Sequence, residues 1–582
     1  MSNIGHVPEE LVVGRGDPVY MAHAYLTKVP VPAITPFIEA FTDPGDVVVD
    51  PFAGSGMTGV AAAVLGRSAR LSDISVLGQH IGRNFVNLVD HELLIKFADE
   101  LVDASQHHLQ RIYSLECGRC GNRAELAKAV WSIHVRCPGC QNAVDYYESL
   151  ERADWKKPDM SCSVCATSIS SRCDRVGEAA VLDYVRCECM PTQFAQDPAQ
   201  PDAFELDGLD IPHVEITPDR QMYQASALGK SGMTTVASFY STRNLAVLAD
   251  LRKRISEVAD DRLQSKLLFA FTACLTRASK RYQWSRARPL NAANANYYVA
   301  PIFYEWNVYD LFLRKVQAVI KADCWITAQR RSSELAGTEL DVSYEIGSAA
   351  KIALPDNSVD YVFTDPPFGS NLFYADMALF QEAWLDGFTD VDIEAVIDRS
   401  RTGTRTADKY EALLTEALAE CRRILKPGGR VSMVFGNSSG RVWALVQRVV
   451  GRAGLKIEPE SLVVLNKGQR SVKGLASGFE HVATLDLVLT MVAVDDNAEP
   501  PVPVEARSIS DAVRRFANTE TETTPSHLYL ALLRHAILQH WRLDQLDLKV
   551  VTGVLMEDGW SLNAKSGRMV RDSSMNRDGS DS

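Results

Sequence analysis

The chain has 582 residues, of which 46% are hydrophobic, and carries a formal net charge of −13. This length and composition are typical of a soluble protein with several domains. The acidic balance excludes a protein that coats nucleic acid through a broadly basic surface, although it leaves room for a local basic cleft. No run approaches the ~20 uncharged apolar residues of a membrane helix, and the first residues lack a secretion signal, so we expect a cytoplasmic protein.

The first stretch with an alternating α/β pattern covers about residues 20–95. Residues 46–50 predict a buried strand, and small residues from 58 to 65 predict a helix after a glycine turn. The next predicted strand, 68–71, ends near Asp73. The order is strand, loop, helix, strand.

The loop after this first strand is Pro51-Phe-Ala-Gly-Ser-Gly-Met-Thr58. Its two glycines let the backbone pass close to a ligand and aim free amide groups at an anion, such as the methionine carboxylate of S-adenosylmethionine (AdoMet). A plain structural turn is the alternative, but the loop lacks the Gly-Lys-Ser/Thr ending of a phosphate-binding loop. Asp73 is placed to accept hydrogen bonds from ribose hydroxyls. The loop residues predicted to bind AdoMet, with Asp73, are Asp50, Pro51, Phe52, Ala53, Gly54, Gly56 and Thr58.

Nine of the twelve cysteines fall between residues 117 and 189, several as Cys-x-x-Cys pairs. In a chain without a secretion signal this pattern favours zinc over disulfides. Two pairs separated by sixteen residues predict one zinc ribbon, formed by Cys117, Cys120, Cys137 and Cys140. A second site is predicted from Cys162, Cys165, Cys187 and Cys189, with Cys173 as an alternative to one of the last two. Sites made only of thiolates leave no position for a substrate, so we expect a structural role, either gripping nucleic acid or bracing the chain.

Residues 226–325 predict helices and contain one basic stretch with interleaved aromatics. Phosphate contacts beside stacking faces are typical of a nucleic-acid groove, although a solvated charged face has the same pattern. The predicted nucleic-acid-binding residues are Arg277, Lys280, Arg281, Tyr282, Trp284, Arg286 and Arg288.

A second α/β stretch covers about residues 338–497. A predicted buried strand, 359–364, leads directly into Asp365-Pro-Pro-Phe368. An amphipathic helix over 410–425 and a strand over 430–435 follow. Neither α/β stretch makes a complete sheet alone, so we expect both to contribute to one doubly wound, Rossmann-like domain that is interrupted by an insertion.

The residues after strand 359–364 suit chemistry on an exocyclic amine of a nucleic-acid base, whose lone pair is delocalised into the ring. A carboxylate at Asp365 can accept a hydrogen bond from the amine, and the carbonyl of Pro366 can be a second acceptor. Pro367 stiffens the loop, and Phe368 offers a face for a flipped base. A rigid turn after a strand is the alternative for an isolated match. The conjunction with the glycine loop favours a catalytic role for Asp365, Pro366, Pro367 and Phe368.

These two motifs resemble those of the amino-methyltransferase family of DNA methylases. The run from Ala24 to Pro30 resembles the motif that precedes the family's cofactor loop, and implies that Thr27 and Lys28 lie near the methionine part of AdoMet. The cysteine pairs resemble the zinc-ribbon-containing adenine-specific members, some of which are linked to phage defence. Two departures are that Phe368 replaces the usual tyrosine, and that Gly347-Ser348 stands where an acidic residue often contacts the adenine of AdoMet.

The resemblance implies an AdoMet-dependent enzyme that methylates adenine N6 in duplex DNA, with a flipped target base, in host-DNA marking or phage defence with partner proteins. The alternatives are cytosine N4 methylation of DNA, guanine N2 methylation of RNA, and a non-catalytic DNA-binding subunit. The predicted division is a core with the AdoMet loop (1–95), a zinc-ribbon insertion (96–220), a helical target-recognition insertion (221–335), a core with the catalytic motif (336–497), and a linker with a small C-terminal region and disordered end (498–582).

Overall fold

A computed structural model gives the fold of most of the chain. The residues that it describes are 7–14, 16–199, 206–226, 228–286, 297–331, 341–369, 372–398, 405–467, 485–494, 501–519, 522–563 and 568–571. Of the end predicted to be disordered, 571–582, only Arg571 is among them, and it belongs to a strand; the rest lies outside the described residues.

The helices are numbered in chain order. They are α1 (Pro18–Ala22), α2 (Val31–Phe41), α3 (Met57–Val64), α4 (Val76–Val86), α5 (His91–His108), α6 (Tyr146–Arg152), α7 (Gln221–Ala225), α8 (Leu228–Ser231), α9 (Thr242–Ser256), α10 (Asp261–Ala278), α11 (Val308–Arg331), α12 (Tyr374–Glu382), α13 (Ala407–Ile424), α14 (Gly440–Arg452), α15 (Ala506–Ala517), α16 (Pro525–Leu538) and α17 (Leu548–Glu557).

The strands are numbered in the same way. They are β1 (Glu10–Val12), β2 (Val47–Asp50), β3 (Ser68–Asp73), β4 (Ser114–Glu116), β5 (Arg123–Arg136), β6 (Ala143–Asp145), β7 (Arg175–Arg186), β8 (Phe194–Gln196), β9 (Ile302–Trp306), β10 (Val342–Ile346), β11 (Val359–Thr364), β12 (Leu425–Phe435), β13 (Leu455–Ile457), β14 (Val463–Asn466), β15 (Asp486–Ala493), β16 (Glu522–Thr523), β17 (Trp560–Asn563) and β18 (Arg568–Arg571).

The largest sheet joins strands from both predicted α/β stretches, in the order β1-β14-β15-β12-β11-β2-β3-β10, with β13 beside β15. The central strands β10, β3, β2, β11 and β12 are parallel, and β15 runs antiparallel to β12. Tyr361 pairs with Val48 across more than 300 residues of chain. The predicted α/β class is therefore confirmed, and the carboxyl ends of β3, β2 and β11 lie at one edge.

Both faces of this sheet are covered. Val48 and Phe363 belong to one hydrophobic cluster, which includes buried residues of α2, α3 and α4. Val49 and Val362 belong to the other, which includes residues of α13 and α14. Side chains that alternate between two apolar layers are what a strand buried on both faces requires.

A second sheet lies within the segment between the two halves of the core. The long strands β5 and β7 pair antiparallel, with β4, β6, β8 and β9 beside them. β9 follows α10 and pairs with β5, so the cysteine-rich segment and the segment predicted to be helical share one sheet. The helical prediction for 226–325 therefore missed one strand, because Ile302–Trp306 is a short apolar run that periodicity alone does not assign.

The C-terminal region forms α15, α16 and α17 with a small sheet of β16, β18 and β17. Buried residues of these helices, such as Tyr529 and Leu533, belong to the same hydrophobic cluster as α13 and α14. The Tyr529 hydroxyl donates to the carbonyl of Leu546 at 2.8 Å. This region is thus packed onto the core.

Among the helices in the described part of the chain, none combines the length and apolarity needed to cross a membrane.

Candidate active site and cysteine clusters

The glycine loop leaves β2 and enters α3. Gly54 and Gly56 have φ angles of 47° and 77°, in the left-handed region that favours glycine. A Cβ on Gly56 would lie 2.6 Å from the Cα of Gly82, a glycine of α4. Close backbone packing against α4 therefore fixes the loop, and Gly78, whose Cβ would lie 2.5 Å from the Gly54 carbonyl oxygen, makes the same approach possible one turn earlier.

Asp50 is buried at the end of β2 and connects the loop to two neighbouring elements. Its carboxylate accepts hydrogen bonds from the Thr58 hydroxyl at 2.6 Å, the Thr364 hydroxyl at 2.9 Å and the Phe52 amide at 3.1 Å. Burial raises the pKa of Asp50 to about 7, and the hydrogen bonds oppose that rise. Asp50 thus holds β2, α3 and β11 together beneath the loop.

Asp73, at the end of β3, also supports the loop. Its carboxylate accepts from the Gly54 amide at 2.8 Å and from the Ser75 amide at 2.9 Å. Burial raises its pKa, and these backbone hydrogen bonds oppose the rise. A carboxylate oxygen can accept more than one hydrogen bond, so these contacts leave acceptor capacity toward the cavity.

Thr27 and Lys28 lie in the segment before α2. The hydroxyls of Thr27 and Tyr374 are 3.0 Å apart. The Lys28 ammonium donates to the carbonyls of Tyr20 at 2.5 Å and His23 at 2.7 Å. Burial lowers the pKa of Lys28 to about 7.

Asp365 follows β11, next to the strand that ends in Asp50. Within the described chain, no residue donates a hydrogen bond to its carboxylate. Burial raises its pKa to about 7; the charge of Lys467 lowers it, and Asp486 and Asp50 raise it further. Lys467 is itself held by an ion pair with Asp486 at 2.6 Å. Asp365 is therefore a carboxylate with a raised pKa whose oxygens accept no hydrogen bond from the described residues.

The backbone of Pro367 and Phe368, which follows Asp365, is held by side chains of neighbouring elements. The carbonyl of Pro367 accepts from the Tyr410 hydroxyl at 2.6 Å, and that of Phe368 accepts from the Asn437 amide nitrogen at 3.2 Å. The Phe368 ring packs on Phe435 with centroids 5.0 Å apart. The backbone after Asp365 is thus held rigidly while Phe368 remains partly exposed.

One cavity gathers most of the predicted cofactor and catalytic residues. Those that line it are Thr27, Lys28, Asp50, Pro51, Phe52, Ala53, Gly54, Thr58, Asp73, Asp365 and Pro367. Gly56, Pro366 and Phe368 lie beside it rather than in its wall. Gly347 and Ser348, which replace the acidic residue expected from the family, also line it.

The structure adds cavity residues that sequence reasoning missed, chiefly Tyr25, Tyr374 and Glu394. Glu394 accepts the backbone amides of Tyr374 and Ala375 at 2.6 and 3.1 Å, and thereby caps the start of α12. Burial raises the pKa of Glu394 to about 7. Of these three residues, only Tyr25 could have been found from the sequence, because it lies inside the run 24–30 that resembles a family motif.

The cysteines form two groups of four, but not the groups predicted. One consists of Cys117, Cys120, Cys187 and Cys189, and the other of Cys137, Cys140, Cys162 and Cys165. The predicted pairing of Cys117 and Cys120 with Cys137 and Cys140 is wrong. These two Cys-x-x-Cys pairs lie at opposite ends of the 14-residue strand β5, which at about 3.3 Å per residue is roughly 45 Å long. Cys173 belongs to neither group.

Both groups have the geometry of a tetrahedral thiolate site. The Sγ atoms of Cys117 and Cys189 are 3.6 Å apart, and those of Cys137 and Cys165 are 3.5 Å apart. Disulfide sulfurs lie about 2.05 Å apart, whereas zinc–sulfur bonds of about 2.3 Å in a tetrahedron separate the sulfurs by nearly 4 Å. The donor sets therefore fit zinc.

The predicted nucleic-acid residues do not form one surface. Arg281 and Tyr282 are interior, 3% and 5% exposed, because apolar and aromatic packing against α12 and β9 draws them inward. The Lys280 ammonium forms an ion pair with the Glu178 carboxylate, with Nζ and Oε1 2.5 Å apart.

The remaining members of that set lie elsewhere. The Trp284 and Trp155 rings pack with centroids 5.4 Å apart, and the Arg286 guanidinium lies over Trp155. Arg277 lies at the end of α10. Arg288 falls outside the described residues.

Residues 9–89 match the family model described as DNA methylase. This segment contains the glycine loop, Asp50 and Asp73. The predicted resemblance to DNA methylases is confirmed over it.

A stretch of 54 residues is 50% identical to YubD of Escherichia coli K12, which carries the name of a methylase. The aligned stretch covers 9% of this chain and 23% of YubD.

Two solved structures share limited similarity. TTHA0409 of Thermus thermophilus, named as a DNA modification methylase, is 19% identical over 29% of this chain and 61% of its own, with a TM-score of 0.16. The complex of the Haloferax volcanii Trm112 methyltransferase activator with its methyltransferase is matched at 16% identity over 30% of this chain and 69% of that one, with a TM-score of 0.17.

Proposed function

We propose that this protein is an AdoMet-dependent methyltransferase that modifies an exocyclic amine of a DNA base, with adenine N6 as the target. One observation carries the proposal. The glycine loop after β2 and Asp365 after β11 are more than 300 residues apart in sequence, yet both line one cavity at the edge of the sheet. The match of residues 9–89 to DNA methylases supports the same conclusion.

The residues around the loop fit AdoMet. Gly54 and Gly56 carry no side chain where the loop meets α4 and enters α3, and the helix amide groups there favour an anionic carboxylate. Asp73 and Asp50 lie beneath the loop, with Asp73 available to ribose hydroxyls. When bound, AdoMet supplies an electrophilic methyl group.

Asp365 would activate the target amine. Its carboxylate accepts a hydrogen bond from the amine, which draws electron density back onto the nitrogen. After methyl transfer the nitrogen must lose a proton, and a carboxylate with a pKa raised to about 7 is a suitable acceptor. The Pro366 carbonyl would be the second acceptor, and the partly exposed ring of Phe368 would stack on the flipped base.

The choice of adenine N6 rests on the resemblance of the motifs to adenine-specific methylases, as does a role in host-DNA marking or phage defence. Cytosine N4 requires nearly the same site. We assign the zinc-binding clusters a structural role, because four thiolates leave no open position for a substrate. The proposed domain plan is a Rossmann-like core (1–95 and 336–497) with an insertion (96–335) that recognises the target.

The test is transfer of a labelled methyl group from AdoMet to unmethylated duplex DNA and, in parallel, to tRNA, followed by mass spectrometry of the digested nucleosides. We expect label in DNA as N6-methyladenine. Label as N4-methylcytosine would contradict the target base, and label confined to RNA would contradict the substrate. Absence of transfer to either, with AdoMet bound, would favour the non-catalytic DNA-binding subunit.

A further inference from the structure

A second cavity, of about 540 Å³, lies next to the candidate active site. Its walls come from the segment between Tyr20 and Lys28, from α10 and α11, and from α12. Tyr25, Lys28 and Tyr374 line both cavities, so the two share a wall. This volume is within the range of pockets that hold small organic ligands.

The charge of this second cavity is entirely positive among the described residues. No aspartate or glutamate belongs to its lining, whereas the whole chain has a net charge of −13. The cations that line it are Lys28, Arg277, Arg281, Arg314 and Lys315. A local concentration of one sign inside a low-dielectric cleft attracts ligands of the opposite sign.

Two of these cations are oriented by contacts that do not neutralise them. The guanidinium groups of Arg277 and Arg314 lie over the Trp306 ring, 5.7 and 5.3 Å from its centroid. The Arg314 Nε also donates to the backbone carbonyl of Asp310 at 3.0 Å, while the Asp310 carboxylate is taken by Arg186 at 2.6 Å. In the described structure neither arginine has a carboxylate partner.

Lys315 is held in a similar way, since its ammonium donates to the carbonyl of Ala22 at 2.9 Å. Burial lowers the pKa of Lys315, and so does the charge of Arg277. Partial burial of the exposed Arg314 side chain lowers its pKa, and the charge of Arg277 lowers it further, whereas the charge of Asp310 opposes both effects. These cations therefore repel one another, and an anion between them would relieve that repulsion.

The remaining wall is apolar and aromatic. It includes Met21, Leu26, Leu311 and Met377, together with the tyrosines shared with the first cavity. Cations beside apolar and aromatic faces suit a nucleotide, whose phosphate is anionic and whose sugar and base are not.

We propose that this second cavity binds the sugar–phosphate backbone of the target DNA strand beside the methylated base, with Arg277, Arg314 and Lys315 contacting phosphates. The proposal rests on the proposed function, because the shared wall would lead the strand toward Asp365. It keeps Arg277 of the predicted nucleic-acid residues and adds Arg314 and Lys315 of α11. Lys280, which is paired with Glu178, is not part of the proposed contact.

The experiment compares two double variants that remove the same charge. Arg314→Gln/Lys315→Gln changes the cavity, and Lys96→Gln/Lys253→Gln changes exposed positions outside it. Binding to a duplex DNA is measured by fluorescence anisotropy over a salt series. Each lost phosphate contact should reduce the slope of log affinity against log salt by about 1. We expect a reduction of about 2 for the cavity variant and no change for the control, with AdoMet affinity unchanged in both.

An unchanged slope in the cavity variant would overturn the proposal, and so would tighter binding of RNA that depends on the same residues. If the double variant does not fold, Arg314→Gln alone is measured, because the position is exposed. The expected reduction of the slope is then about 1. The two proposals fail separately. Methyl transfer to DNA with an unchanged slope removes only this one, whereas a reduced slope without any transfer removes only the proposed function.

Discussion

The core and the cysteine-rich insertion contain equally clear sequence motifs, but the structure assembles them differently. In the core, the glycine loop and Asp365 are distant in sequence and meet in one cavity. In the insertion, Cys117-x-x-Cys120 and Cys137-x-x-Cys140 are close in sequence and separate into different clusters. Closeness of two motifs along the chain therefore does not predict that they form one site.

The reason is the way strands place their ends. Parallel neighbouring strands bring their carboxyl ends to one edge, so motifs that end β2 and β11 must meet. In the antiparallel pair β5 and β7, the two cysteine motifs at the ends of β5 are held apart by the length of the strand. Each of these motifs instead meets the cysteine motif at the same end of β7.

The zinc stoichiometry of two double variants provides the sharpest test of this difference. Cys117→Ser/Cys187→Ser changes one cluster of the structure and should leave one zinc ion per chain. Cys117→Ser/Cys137→Ser changes one residue in each cluster and should leave none, because a four-thiolate site loses most of its affinity with one ligand. Native mass spectrometry measures the bound ions.

A pairing by sequence order would give the reverse result, with one ion retained in Cys117→Ser/Cys137→Ser and none in Cys117→Ser/Cys187→Ser. Cys274→Ser is the control, since this thiol lies in the apolar core and belongs to neither cluster. It should retain both ions.

In the core, Gly56→Ala should disable the loop. The new Cβ would meet the Gly82 backbone, and the positive φ adds strain of about 1–3 kcal/mol. We expect a lower melting temperature and loss of AdoMet binding in a calorimetric titration. Gly451→Ala, which has open space around it in α14, should leave AdoMet binding unchanged and should not lower the melting temperature. Normal AdoMet affinity in Gly56→Ala would show that the loop does not hold the cofactor.

The pH dependence of methyl transfer should report Asp365. The carboxylate is the active form, so the rate should rise as pH increases through about 7 and level off above it. Lys467 lowers the pKa of Asp365, and Lys467→Gln would also leave Asp486 uncompensated. The midpoint of the profile should therefore move to higher pH, with activity recovered at alkaline pH.

Lys456→Gln is the matched control for this profile, because the side chain is exposed on β13. It should leave the midpoint unchanged. A midpoint that is insensitive to Lys467→Gln would mean that another group controls the rate.

Much of the core was predictable because its signals are local. Apolar runs marked β2 and β11, and each run ended in the aspartate that lines the cavity. Tyr374 and Glu394 were not predictable, since their contact depends on how α12 folds back over the sheet edge. Arg281 looked like a surface cation in sequence, but the packing of its guanidinium on Phe380 is a tertiary effect.

The central claim is that the glycine loop and Asp365 form one site with separate tasks, and Asp365→Asn tests it most directly. AdoMet affinity by calorimetry and single-turnover methyl transfer to DNA are measured on the same preparation. We predict unchanged AdoMet affinity and a transfer rate reduced by about 10²–10⁴-fold, the usual contribution of a positioned proton acceptor. Transfer at the wild-type rate, or loss of AdoMet binding together with transfer, would contradict the claim.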